Sequence, residues 1–180
     1  MPEHTPEIVQ KEDPVLRLTA KEVPVADITS KKIKDLILKM RAALVSQKDG
    51  VAIAAPQVGA SLRIFVVSGA LLAQADKTYT GSPTDLIFIN PVITRRSKEK
   101  MEVEEGCLSV RWLYGKIKRS ARVTLQAYDE NGVKIERGAS GLLAQVFQHE
   151  TDHLEGTLFI DHAKEVWEMT DEEIAELQKK

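Results

Sequence analysis

The apolar residues of this chain change period twice, from helical to alternating and back to helical. That order constrains the fold more than any other feature of the sequence. From Ser30 onward, Ile33, Leu36, Ile37, Met40 and Leu44 share one helical face, with Ser30 the expected cap and Gly50 the expected stop. Residues 62–67, 86–89 and 122–128 are short β-branched or aromatic-rich runs bounded by Gly, Pro, Asn or Asp, which predicts strands. Asp129-Glu130-Asn131-Gly132 separates the last run from 133–136, and Asn-Gly predicts a tight antiparallel hairpin. From Ser140 the helical period returns, with Leu142, Leu143, Val146, Phe147 and Leu154 expected to be buried and Gly156 to end the helix. Thr170-Asp171-Glu172-Glu173 has the form of a capping box and predicts a short C-terminal helix with a narrow stripe of Ile174 and Leu177. Strands around helices without βαβ alternation indicate an α+β fold, with mainly antiparallel strands packed around the helix that starts near Ser140.

With 180 residues, 43% of them hydrophobic, the chain has material for one catalytic domain over 13–180, preceded by a polar tail over 1–12 that is expected to be flexible. Gly81-Ser82-Pro83-Thr84 is the expected mobile loop. The 25 basic and 27 acidic residues are interspersed, which gives no footprint for direct nucleic-acid binding. No apolar run has membrane length, and the acidic, Pro-broken start is unlike a signal peptide, so a cytoplasmic protein is expected. One cysteine excludes an internal disulfide and leaves Cys107 as buried hydrophobe, nucleophile or metal ligand.

His149-Glu150-Thr151-Asp152-His153 lies on the last long helix. Two histidines four apart sit about 5–6 Å from one another at Cβ on one face, so both imidazoles can reach a single ion. Glu150 lies about 100° further round, beside that ion rather than on it, where a carboxylate can take a proton from water. A histidine pair at this spacing can also be merely satisfied in a core. Here the apolar turns before it aim His149 inward, where an unpaired imidazole is costly, and this favours metal binding. Two ligands leave a hydrolytic ion short of the usual three. His162 lies beyond Gly156, and the downstream acids have no distinctive spacing, so Cys107, in Glu105-Gly106-Cys107-Leu108-Ser109, is the stronger third candidate.

Three ordered motifs carry a resemblance: Gly50-Val51-Ala52-Ile53-Ala54-Ala55-Pro56-Gln57, Glu105-Gly106-Cys107-Leu108-Ser109, and Gln148-His149-Glu150-Thr151-Asp152-His153-Leu154-Glu155-Gly156. Together they resemble the peptide deformylase family from about Asp13 to Asp161, most closely its helix-ended bacterial subtype. The resemblance implies hydrolytic removal of the formyl group from N-formylmethionyl peptides or nascent chains, releasing formate. It implies one divalent ion per chain held by Cys107, His149 and His153, ferrous iron in nature, with zinc, nickel or cobalt as substitutes. It makes Glu150 the general base and then the acid, and Gln57 and the Leu108 backbone N–H the oxyanion donors. It also implies that Asp152 pairs with Arg119 to brace the ligand helix, and that the substrate lies against Val51, Ala52, Gly106, Leu142 and Gln145. Rival readings are a zinc metallopeptidase using the same helix motif, and a catalytically weakened homologue that keeps its metal.

This sequence departs from the family pattern at four places. Ala52 stands where glycine is usual, against the substrate backbone, which predicts altered peptide preference. Gln145, one turn before His149, replaces an apolar residue and predicts a partly polar methionine pocket. Arg111-Trp112-Leu113-Tyr114-Gly115 follows Val110 where proline often stands. Some relatives dock on the ribosome through a basic terminal helix; Asp171, Glu172, Glu173 and Glu176 make that helix acidic here, and anionic RNA would repel it.

Overall fold

The computed structural model describes residues 6–71 and 84–179. The predicted loop residues Gly81, Ser82 and Pro83 lie outside them. Among the described residues, eight strands form two antiparallel sheets. β1 (Ala52–Ala54), β2 (Ile64–Val67), β3 (Leu86–Arg96), β6 (Arg122–Tyr128) and β7 (Lys134–Ser140) make the larger, in the order β1-β2-β3-β6-β7. β4 (Lys100–Gly106), β5 (Leu113–Ser120) and β8 (Lys164–Glu168) make the smaller, in the order β4-β5-β8. The α-helices that lie wholly within the described residues are α1 (Lys31–Val45), α2 (Gly141–Leu154) and α3 (Asp171–Lys179). This is the α+β architecture expected from the change of period.

The larger sheet is covered on both faces, which is why 64–67 and 86–89 are continuously apolar instead of alternating with polar residues. Side chains alternate between the faces. Phe65, Val67 and Phe88 point toward α2 and join Phe147 and Leu154 in one buried cluster. Ile64, Val66, Ile87 and Ile89 point toward α1 and meet Ile33, Ile37, Met40 and Leu44 in another. Phe88 and Phe147 pack edge to face with centroids 5.0 Å apart. These clusters hold α2 between the larger sheet and β5 of the smaller one.

Several boundaries differ from the sequence expectation, each for a local reason. Ser30 caps α1 by accepting from the Ile33 amide, but the helix ends at Val45 rather than Gly50. There the Ser46 hydroxyl donates to the Ala43 carbonyl and the Gln47 amide closes a tighter turn on Leu44. The strand predicted over 86–89 runs on to Arg96, because Asn90, in the left-handed region at φ 51°, and Pro91 sit in a bulge instead of ending it. In the 129–133 hairpin only Gly132 is left-handed; the Asp129 carboxylate accepts from Asn131 and Val133 and carries the rest of the turn. β1, β4, β5 and β8 have no counterpart among the predicted strands. β1 is too short to show a period, while β4 and β8 are mostly solvent-facing and carry many charges. α2 and α3 fall where predicted, and the Thr170 capping box is present in both directions, Thr170 N to Glu173 at 2.8 Å and Glu173 N to Thr170 at 3.3 Å. Gly156 ends α2 at φ 74°, and a Cβ there would come within 2.7 Å of the Arg17 carbonyl.

Two of the residues expected in the tail are anchored. The Val9 amide donates to the Gln57 carbonyl at 3.0 Å, and the Gln10 side chain donates to the Leu108 carbonyl at 3.1 Å. Among the described residues no helix is long and apolar enough to cross a membrane.

Candidate metal centre and substrate groove

α2 presents His149 and His153 on one face, and the turn after β4 brings Cys107 to them. One ligand atom from each of the three lies within 4.8 Å of the others. The Cys107 sulfur is 3.2 Å from His153 Nε2. His149 Nδ1 is 2.9 Å from Glu105 Oε2, which turns its Nε2 toward the centre. Burial holds His153 well below the ordinary histidine range, with His149 adding to the effect, so its imidazole is neutral as a ligand must be. Burial acts the same way on His149, but Cys107, Glu105 and Glu150 outweigh it and raise that group well above the ordinary value. The surroundings of His149 thus favour positive charge. His153 Nδ1 and Glu150 Oε2 are buried without a hydrogen-bond partner. A sulfur and two imidazoles converging in a field that attracts a cation fit a divalent ion.

Glu150 is only 4% exposed, and burial pushes its carboxyl up to about 7. Gln57 lies in a 3-10 turn, Ala55–Val58, that follows β1 directly. Its Oε1 accepts from the Ala54 amide at 2.8 Å, which fixes the amide orientation. Nε2 is thereby aimed across the groove at the Cys107 sulfur, 3.6 Å away, and at the Ser109 hydroxyl, 3.1 Å away. Leu108 follows the thiol directly and is buried. The N-terminal contacts of Val9 and Gln10 brace Gln57 and Leu108 from outside, a role nothing in the local sequence signals.

Behind the ligands runs a chain of buried charge. Arg119 of β5 grips Glu105 with two contacts, 2.7 and 2.8 Å, and reaches Asp152 with a third at 2.6 Å. Burial alone would raise Glu105, but Arg119 and His149 pull it down to about 2, so it remains a carboxylate facing His149. The Asp152–Arg119 pair is as the family resemblance implies. Glu105 as the link from that pair to a ligand was not anticipated; its place two residues before Cys107, on the strand that delivers the thiol, is the signal that could have found it. Gln148 was also missed. Its amide bonds both the N–H and the carbonyl of Ser120, at 2.9 and 3.0 Å, pinning α2 to the corner where the chain passes from one sheet to the other.

β1 and β4 are edge strands of their sheets, and both line a cavity of about 220 Å³ that opens onto the centre. Val51, Ala52, Gly106, Leu142 and Gln145 all border it, together with Gln57, Cys107, His149 and Glu150. Leu142, expected to be buried, is 49% exposed, because its position on α2 faces the cavity mouth rather than the sheet. Gln145 is turned so that its amide donates to the Glu104 carbonyl at 2.8 Å. Gly106 is required by the fold itself: a Cβ there would lie 2.6 Å from the ring of Tyr114, its partner across β5. Tyr114 belongs to β5.

Comparison with known proteins shows the family. The family model for polypeptide deformylase matches residues 5–168. Peptide deformylase 1B, chloroplastic, of Solanum lycopersicum is 35% identical over 96% of this chain, which spans 58% of that relative's length. The crystal structure of peptide deformylase from Thermotoga maritima superimposes with a TM-score of 0.77 at 35% identity, covering 90% of this chain and 99% of that one. The Met-Ala-Ser bound structure of the class I type b peptide deformylase from Acinetobacter baumannii superimposes with a TM-score of 0.75 at 31% identity, covering 86% and 96%. A match over nearly the whole chain, in sequence and in fold, together with a Cys-His-His centre between two open strand edges, makes this chain a member of the polypeptide deformylase family.

Proposed function

We propose that the protein hydrolyses the formyl group from N-formylmethionyl peptides, releasing formate and a free amine. The observation that carries this reading is the convergence of Cys107, His149 and His153 beside Glu150, with the Gln57 amide aimed into the same space. A divalent ion held by these three would polarise the formyl carbonyl and make water acidic enough to attack it near neutral pH. Glu150 takes a proton from the attacking water and passes it to the nitrogen as the C–N bond breaks. Gln57 Nε2 and the Leu108 N–H donate to the oxygen that gains charge. The thiolate and imidazole set suits ferrous iron, our choice for the natural metal; zinc, nickel and cobalt are substitutes.

The peptide lies as an added strand between the β1 and β4 edges, with Val51, Ala52 and Gly106 along its backbone and Leu142 and Gln145 around the methionine side chain. The A. baumannii relative has been crystallised with Met-Ala-Ser bound, which supports a short peptide as the ligand. A cytoplasmic enzyme acting on nascent chains is the corresponding setting. The acidic first turn of α3, Asp171, Glu172 and Glu173, gives ribosomal RNA no attachment there.

The test is formate release from formyl-Met-Ala-Ser by anaerobically purified protein, with metal content measured alongside. Glu150→Gln should keep the metal and lose about 100-fold or more of the rate. Metal without formate favours the weakened homologue, and cleavage of internal peptide bonds favours the metallopeptidase; either result overturns the reading.

A further inference from the structure

The cavity over the centre holds about 220 Å³. Pockets that enclose a drug-sized ligand run from about 300 to 1,000 Å³, so this one takes a single residue and its formyl group, and the following residue must cross the rim. One ion pair spans that rim. Arg111 Nη1 pairs with Asp49 Oδ2, while Nη2 reaches Asp49 Oδ1 at 3.1 Å and Gln47 Oε1 at 2.8 Å. The guanidinium lies over the Trp112 ring, 4.6 Å from its centroid. Asp49 stands immediately before Gly50, Val51 and Ala52 on one side of the groove, and Arg111 four residues after Cys107 on the other. Asp49, Arg111, Trp112 and Tyr114 all line the cavity.

We propose that the Asp49–Arg111 pair, seated on Trp112, is a clasp across the groove mouth that determines which residue is accepted after the formylated one, favouring small side chains over bulky ones. The clasp rests on the deformylase reading. Its position argues for this role. The pair joins the wall that carries the β1 edge to the wall that carries the thiol, so a side chain passing between them must either fit beneath the clasp or part it. The pair is neutral as a whole, so size rather than charge is what it senses. Each side chain is 19% exposed. Parting a pair that still touches solvent carries a modest penalty, equivalent to about fivefold in kcat/KM.

The experiment measures kcat/KM of the metal-loaded protein for formyl-Met-X-Ser with X as Ala, Leu and Phe. Metal content and melting temperature are recorded for every variant. The native protein should prefer Ala to Phe by about fivefold. Arg111→Ala and Asp49→Ala should each bring that ratio to within about twofold at native metal content, whatever happens to the absolute rate, and Arg111→Lys, which keeps the charge pair, should retain the preference. If one alanine variant fails to fold, the other carries the comparison. A native profile flat across X, or an Arg111→Ala profile equal to the native one, overturns the clasp while leaving deformylation standing. No formate from any peptide overturns the underlying reading and the clasp with it.

Discussion

Replacing Arg119 by alanine tests whether the buried charge chain supports both the fold and the metal. The substitution removes three charge-assisted contacts, two to Glu105 and one to Asp152. The Asp152 side chain is 25% exposed and regains water; that of Glu105 is 2% exposed and does not. A buried carboxylate that has lost its guanidinium and keeps only His149 costs up to about 3–5 kcal/mol. For a chain of 180 residues each kcal/mol moves the melting temperature by about 2–4 °C, so a fall of roughly 6–20 °C is expected in calorimetry of the chelated protein. Glu105→Leu with Arg119→Met separates the two roles. Removing both charges together is much cheaper than removing one, so melting should recover to within about 5 °C of native. His149 Nδ1 then has no carboxylate to orient it, and affinity measured against a competing chelator should remain about 10–100-fold below native. A fall of less than about 3 °C for Arg119→Ala, or native metal affinity in the double variant, would refute the argument.

Gln145→Ile exchanges the donor on the Glu104 carbonyl for apolar surface in the proposed methionine pocket; kcat/KM for formyl-Met-Ala-Ser should rise about threefold to fivefold, and an unchanged or lower value counts against a methionine pocket there. Gln10→Ala removes the donor that holds the Leu108 carbonyl; kcat should fall about threefold to tenfold at unchanged metal content, and an unaffected kcat would limit Gln10 to tethering the N-terminal segment. Asp161 accepts from Arg17 at 2.5 Å and from the Leu158 amide at 2.8 Å, and although burial opposes it, these hold its carboxyl below the ordinary 3.8. A depressed value stabilises the fold above the unfolded pKa and is lost as pH falls through the folded one. Asp161→Asn should therefore cost about 1 kcal/mol or less at pH 7, discounted for partial exposure, and progressively less below pH 3.8; a cost that grows in acid would contradict this sign.

How far the sequence could be read depended on where each signal lies along the chain. α1 and α2 were legible because their apolar faces repeat over several turns, and Ser30 and Gly156 mark ends that the backbone uses. The His149–His153 pair was legible because helical spacing alone fixes its geometry. Cys107 needed more. Nothing within the chain order says that residue 107 meets residue 153; only the resemblance to a family joined them. The strands that deliver the site were the hardest to see. β4 carries Lys100, Glu102, Glu104 and Glu105, and its side chains face solvent or the buried charge chain rather than an apolar core, so it has no hydrophobic period to detect.

That blindness has a physical origin tied to the chemistry. A groove that takes a peptide as an added strand must leave two edges unpaired. β1, three residues long, and β4, polar and mostly exposed, are the two edges here, and each leads to a proposed site residue, Gln57 after the one and Cys107 after the other. Gly106 ends β4 where the ring of Tyr114 occupies the space a side chain would need. Glu105, the residue before it, can then point inward to Arg119 and His149 while the β4 backbone stays open to the groove. Two of the strands that escape a periodicity argument, β1 and β4, thus border the cavity.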